Sequence, residues 1–170
     1  RYSEIIMTRV TVPVGEDIGF LPGTEEEKMT PWMGALEDNL DVLNKNEDEG
    51  GGAYGGEWGR AATRDLIRSR IKVKSLNFMR GRTFIQKFLI IDEAQNLTPK
   101  QMKTLITRAG PGTKVVCLGN IAQIDTPYLT EGSSGLTYVV DRMKGWPHAG
   151  HITLQRGERS RLADFASEVL

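Results

Sequence analysis

Cysteine is nearly absent. Cys117 is the single thiol in 170 residues, so no internal disulfide can form and the chain fits a reducing compartment such as the cytoplasm. No apolar run approaches the ~20 residues that cross a bilayer, and no signal peptide is read at the start, so no membrane partner is expected. Net charge is absent too: 22 basic residues balance 22 acidic ones. No global field draws nucleic acid, and any such contact must come from a local patch. His148 and His151 lack the spacing and the acidic or thiol partners of a metal site and are read as structural. A Gly-Lys pair is also missing. Residues 44–59 hold six glycines between Gly50 and Gly59, yet a phosphate-cradling P-loop needs Gly-Lys-Ser/Thr opening a helix after an apolar strand. That segment therefore reads as a flexible surface insertion. The length suits one domain with a sizeable core. The chain begins at Arg1 on the lead-in to a strand, which reads as a piece of a longer protein.

What is present centres on Phe88-Leu89-Ile90-Ile91-Asp92-Glu93-Ala94-Gln95-Asn96. Four apolar residues without alternation predict a strand covered on both faces. It ends in two carboxylates. Ligands of open α/β sheets sit beyond the carboxyl ends of the strands, which places Asp92 and Glu93 where chemistry is done. Two readings are open: a metal-and-water pair of the NTPase kind, or an acidic pair capping the next helix.

Around this strand the order is clear. Ile5-Ile6-Met7-Thr8-Arg9 predicts a first strand, and 14–23 a loop punctuated by Gly and Pro. Thr24 has capping-box spacing to Glu27, and Leu36, Leu40 and Leu43 continue an apolar stripe. Arg60, Arg64 and Arg68 line one face of a helical stretch, and Ile71 to Lys74 alternates like a short edge strand. The turn Asn77 to Phe84 sets Arg80, Arg82 and Thr83 among aromatics. It suits phosphates and bases, or equally a turn with solvated arginines and core phenylalanines. Thr98-Pro99-Lys100-Gln101 starts a helix whose Met102, Leu105, Ile106 and Ala109 share a face until Gly110-Pro111. Lys114 to Leu118 is the next buried strand, with Cys117 an inert core thiol. Strand, helix and strand form a βαβ unit, so the strands are parallel and Asn120 and Gln123 should lie near Asp92 and Glu93. A helix from Ser133-Ser134 ends at Gly145 and Pro147. Ile152-Thr153-Leu154 reads as a last strand, followed by Arg156, Glu158, Arg159 and Arg161. These are either a salt-bridged cap or a source of an arginine for a transferring phosphoryl group. A final helix carries Leu162, Phe165, Ala166 and Val169.

Together these segments resemble the nucleotide-binding domain of the PhoH-like family. The resemblance is carried by Thr8-Arg9, Glu16 to Gly23, Met79-Arg80-Gly81-Arg82-Thr83-Phe84, Ile91 to Asn96, Gly119 to Asp125, and Gly157-Glu158-Arg159-Ser160. It covers residues 1–170 apart from the Gly-rich insertion, and is most similar to the form that follows an N-terminal PIN ribonuclease domain. It implies an α/β fold: a three-layer, RecA/helicase-like parallel sheet with helices on both faces, here without its P-loop strand and helix. It implies ATP and Mg²⁺ as cofactors. Asp92 would hold Mg²⁺, Glu93 would polarise the attacking water, and Gln95 would complete the DEAQ motif. Gln123 would read the γ-phosphate, and Arg159 would be the finger on transition-state charge, from its own subunit or into a neighbour's in a homo-oligomer. Gln95, Gly119, Asn120 and Arg9 would lie about the nucleotide, and Arg80, Arg82 and Thr83 would face RNA. Many relatives carry Asp at the position of Asn120. The expected function is ATP binding and hydrolysis coupled to RNA binding or unwinding, dependent on an upstream P-loop. The alternative is a non-hydrolysing RNA-binding or regulatory module that keeps the fold.

Overall fold

Short apolar runs and β-branching set the sheet. In a computed structural model, which describes residues 1–10, 34–36, 38, 39, 42, 65, 69–76, 79–155, 157 and 159–170, four strands form one all-parallel sheet. They are β1 (Glu4–Arg9), β2 (Ile71–Val73), β3 (Lys87–Asp92) and β4 (Lys114–Cys117), in the order β2-β1-β3-β4. The register pairs Arg9 with Asp92 and Ile91 with Cys117. All four strands run the same way, so β1, β3 and β4 deliver their carboxyl ends to one edge of the sheet. The expected βαβ unit and the edge placement of Ile71–Val73 are both present. The loop at 14–23, the cap at Thr24, the insertion at 44–59 and the arginine face at 60–68 lie outside the described residues.

One face of the sheet is the better buried. Ile6, Leu89 and Ile91 share it through the register, and Met79, Phe84, Leu97, Met102 and Leu105 close over them. Helix α1 (Pro99–Ile106) supplies Met102 and Leu105. Its start follows from the sequence: Thr98 accepts the Gln101 N–H at 3.2 Å, Gln101 returns a carbonyl oxygen to the Thr98 N–H at 2.9 Å, and Pro99 occupies the first turn. This reciprocal cap satisfies donors that the helix cannot satisfy itself. The helix ends at Ile106, earlier than Gly110-Pro111 suggests. Ala109, expected on the helix's apolar face, instead bridges Phe84 in parallel, and the Gly110 N–H donates to the Phe84 carbonyl.

Helix α2 (Gly135–Met143) lays Leu136 and Val139 against the same core. Gly135 is required there. A Cβ would stand 2.5 Å from Met102 Cγ and within 2.7 Å of the carbonyl oxygens of Thr98 and Leu97, and main-chain oxygens cannot step aside.

The chain divides into two units, Arg1–Val139 and Val140–Leu170. In the second, α3 (Arg161–Val169) is capped by Ser160, whose Oγ accepts the Ala163 N–H at 3.1 Å. Lys144 sits 2.8 Å from Asp141 and holds that carboxyl below its ordinary range. Residues 152–154 do not form the expected strand: they are irregular, with Ile152 and Leu154 84% and 86% exposed. An apolar extended segment becomes a strand only when a ladder partner takes up its N–H and C=O groups. No such partner is found among the described residues.

Cys117, on the core-facing register of β4, is partly buried. Burial disfavours the thiolate and pushes its pKa from 9.0 up to about 11. The folded value lies above the unfolded one, so this contribution to stability is present below about pH 9 and is lost as pH rises through about 11. At pH 8, alkylation of the folded chain should be on the order of 100-fold slower than that of the denatured chain, because the thiolate is the reactive form. Equal rates, followed by mass spectrometry, would contradict a core placement.

Candidate functional site at the carboxyl ends of the strands

The edge where β1, β3 and β4 end collects Arg9, Asp92, Glu93 and the loop Gly119 to Gln123. β3 stops because Glu93 turns left-handed, with φ 56° and ψ 35°. A non-glycine residue rarely adopts this conformation, which costs on the order of 1–2 kcal/mol and persists only where neighbours impose it. Several do. The Glu93 N–H donates to Asp92 Oδ1 at 2.9 Å, the Ala94 N–H to the Leu118 carbonyl at 2.9 Å, and the Leu118 N–H to the Ile91 carbonyl at 2.9 Å. The turn presents two adjacent carboxylates at one strand end. A short 3₁₀ turn, Ala94–Asn96, then runs into α1.

Arg9 lies across both acids. Its Nη2 donates to Glu93 Oε1 at 3.4 Å, and its Nε stands 3.9 Å from Asp92 Oδ2. The three side chains are between a quarter and two fifths exposed. The cluster is therefore open to solvent and carries one net negative charge.

Gln95 is fully buried. Its carboxamide is completely used: Nε2 donates to Glu93 Oε2 at 2.7 Å and to the Gln123 carbonyl at 3.1 Å, and Oε1 accepts the Asn120 N–H at 3.3 Å. One side chain thus ties the second carboxylate to the loop after β4. Gly119 makes the approach possible, since a Cβ there would lie 2.5 Å from Gln95 Oε1 and 2.8 Å from Leu136. Asn120 shapes the loop further, with Oδ1 accepting the Ala122 N–H at 3.0 Å and its carbonyl accepting the Gln123 N–H at 3.0 Å. The Gln123 side chain is on the exposed surface.

Two positioning residues were not anticipated from sequence. Buried Ser134, read only as a helix start, donates to the Gln95 carbonyl at 2.8 Å. Buried Asn96 accepts the Asp125 N–H at 2.8 Å, and its carbonyl accepts the Thr126 hydroxyl at 2.6 Å. Polar residues inside a motif give no sign of which way they point, so neither role has a sequence signature.

The other candidates lie elsewhere. Arg80, Arg82 and Thr83 are exposed on the turn between β2 and β3, whose Met79 and Phe84 are core. Gly81 turns it with φ 71°. Phe78, also counted among the turn's aromatics, lies outside the described residues. Arg159 is exposed in the second unit, directly before the cap of α3.

Magnesium takes hard oxygen donors, commonly one or two carboxylates completed by water and substrate phosphates. Asp92 and Glu93 fit that donor set. No group of three or more potential metal ligands occurs among the described residues, so these residues do not form an all-protein cage. No helix among the described residues is long and apolar enough to cross a membrane.

The Gln95 arrangement can be tested by one isosteric change. Gln95→Glu would set a carboxyl group where the amide donor stands 2.7 Å from Glu93 Oε2, and two carboxylates so close cannot both ionise. The new acid would have a raised pKa in the folded state. Its penalty should be smallest below about pH 4 and grow as pH rises to 7. Thermal melts of the variant should therefore fall further below the native chain at pH 7 than at pH 4. A deficit independent of pH would remove the Gln95–Glu93 contact from the account.

Comparison with known proteins bears on this geometry. The pattern of the family described as PhoH-like protein matches residues 1–167. The chain is 44% identical over 172 residues to Protein PhoH2 of Bacillus subtilis, covering 99% of this chain and 36% of that protein. It is 40% identical over 144 residues to the PhoH-like protein of the same organism, covering 84% of this chain and 40% of that one. It is 37% identical over 159 residues to Protein PhoH2 of Mycolicibacterium smegmatis, covering 92% and 32%. The chain thus spans about a third of the length of the curated relatives it matches. With an all-parallel α/β sheet of the P-loop NTPase type and a match over nearly its whole length, the chain belongs to the PhoH-like family.

Proposed function

We propose that this chain is the major part of a Mg²⁺-dependent ATPase domain whose turnover is coupled to RNA binding or unwinding, acting in the cytoplasm. The observation that carries this reading is the pair Asp92–Glu93. It is held at a parallel-sheet carboxyl end by a strained turn and tied through Gln95 to the loop that follows the next strand.

In this reading each residue is assigned a role. Asp92, whose backbone ends β3, holds Mg²⁺. Once held there, Mg²⁺ would supply positive charge against the phosphates. Glu93 accepts the proton of the attacking water. Gln95 is a positioning residue: it fixes the Glu93 carboxylate and the loop of Asn120 and Gln123 in one rigid unit. Gln123 presents a neutral amide toward the terminal phosphate, and Gly119 lets that loop approach closely. Arg9 offsets part of the charge of the two acids before the nucleotide arrives. Arg159 supplies positive charge to the transition state, in its own subunit or a neighbour's. Arg80, Arg82 and Thr83 contact RNA.

The P-loop itself lies upstream in this reading, as a strand beside β4. Two features support that position. β4 is an edge of the described sheet, yet its Val115-Val116-Cys117-Leu118 is continuously apolar, as in central strands. It also lacks the prolines and bulges that protect exposed edges. The length of the relatives leaves room for that segment and for a PIN ribonuclease domain in the same polypeptide.

Substituting the general base tests the reading. In the full-length protein, Glu93→Gln should leave ATP affinity within about threefold of native and lower kcat by about 10²–10⁴. Unchanged turnover in the variant would take Glu93 out of the mechanism, whereas no turnover in the native protein would favour a module that binds RNA without hydrolysis.

A further inference from the structure

The polar face of α1 has no place in the ATPase reading. Lys100, Lys103, Thr104 and Thr107 recur at helical spacing on the side opposite buried Met102 and Leu105. With Arg108 and Thr83 they line an open groove of about 470 Å³. Among the described residues its walls hold three cations and three hydroxyls, with no carboxylate and no aromatic ring. Lys100, Lys103 and Arg108 form no ion pair among the described residues. Like charges gathered without a counter-charge repel one another unless an anion joins them.

The stretch of sequence that contains the groove has the same sign. The chain as a whole is neutral, but residues 66–124 carry eleven Lys and Arg against two carboxylates, Asp92 and Glu93. Both acids lie at the sheet edge beside Arg9. The groove is also joined to the exposed basic turn. The Phe84 N–H donates to the Arg108 carbonyl at 2.9 Å, and a Cβ on Gly110 would stand 2.9 Å from Thr83 Cγ2. Arg82 and Thr83 are thereby fastened next to the end of α1.

We propose that the Lys100–Lys103–Arg108 groove is a second phosphate-binding surface, along which the backbone of a single nucleic-acid strand continues from the Arg80–Arg82 turn. From Lys100 to Thr107 the helix rises about 10 Å, longer than one phosphate group and suited to a repeating polyanion. Cations and hydroxyls without aromatic faces contact phosphate rather than base, so the groove contributes affinity and direction without sequence preference. The Thr104 and Thr107 hydroxyls donate to the carbonyls of Lys100 and Lys103 at 2.9 and 2.8 Å, which leaves the lysines and Arg108 as the groups that bind.

This inference rests on the proposal that the protein binds RNA, and the test separates the two. A fluorescein-labelled 20-nucleotide oligo-uridine RNA is titrated with the full chain by anisotropy across a salt series. Five forms are compared: native, Lys100→Ala/Lys103→Ala, the same pair with Arg108→Ala, Lys100→Arg/Lys103→Arg, and Arg80→Ala/Arg82→Ala. The inference predicts that the triple variant weakens binding at least tenfold at 100 mM salt. Its salt slope should fall by about 2, and the double variant's by about 1.4, at about 0.7 per lost contact for single strands. Lys100→Arg/Lys103→Arg should restore the native slope. If both alanine variants keep the native slope while Arg80→Ala/Arg82→Ala lowers it, the α1 surface is overturned and RNA binding stands. If native protein does not bind at 50 mM salt, both fall. If poly-glutamate competes as well as unlabelled RNA at equal charge, the groove takes acidic protein and the nucleic-acid assignment is overturned.

Discussion

The buried carboxamide of Gln95 is the contact on which the rest of the edge depends. A primary amide inside a protein must find partners for two donors and an acceptor or lose about 1–3 kcal/mol for each group left unsatisfied. Here the partners are the carboxylate of Glu93 and the main chain of Gln123 and Asn120, three pieces that would otherwise move independently. Ser134 completes the arrangement from below by donating to the Gln95 carbonyl. The left-handed turn at Glu93 and the glycine at 119 are then geometric consequences. One aims the carboxylate back over the strand end, and the other makes room for the amide that holds it.

Sheet and site are linked through direction. Because every ladder is parallel, the chain must leave each strand at the same edge, and polar residues that end strands far apart in sequence become neighbours. Arg9 meets Asp92 and Glu93 across 83 and 84 positions. The core beneath needs only apolar volume, which Leu89, Ile91, Met102 and Leu105 supply. The site needs specific polar atoms, and those sit in the turns after the strands. The same division sorts α1, whose buried stripe packs the sheet while its opposite face gathers positive charge that forms no ion pair among the described residues.

Much of this could be read from sequence because it rests on local periodicity. The apolar run before Asp92, the Thr98–Gln101 capping box, and the two-residue alternation of Ile71–Val73 each fix an element from neighbours alone. The residues that escaped this reading depend on distant partners. Ile152 to Leu154 have strand composition but no ladder among the described residues. Ala109 keeps helical spacing, yet is drawn into a bridge with Phe84. Gln95 belongs to a motif, and the motif does not say that its side chain turns inward rather than toward a nucleotide. The apolar stripe of α1 fixes the helix but says nothing of its opposite face, whose charge shows in the sequence only as the imbalance of residues 66–124.

The central claim is that Asp92 brings Mg²⁺ to a nucleotide at this edge. Calorimetric titration of ATP into the full-length protein, with and without Mg²⁺, tests it directly when repeated on Asp92→Asn. The account predicts that Mg²⁺ tightens ATP binding to the native protein and that this enhancement disappears in the variant, while Mg²⁺-free binding is preserved. An Asp92→Asn protein that keeps the full Mg²⁺ enhancement would contradict the account and move the metal away from β3.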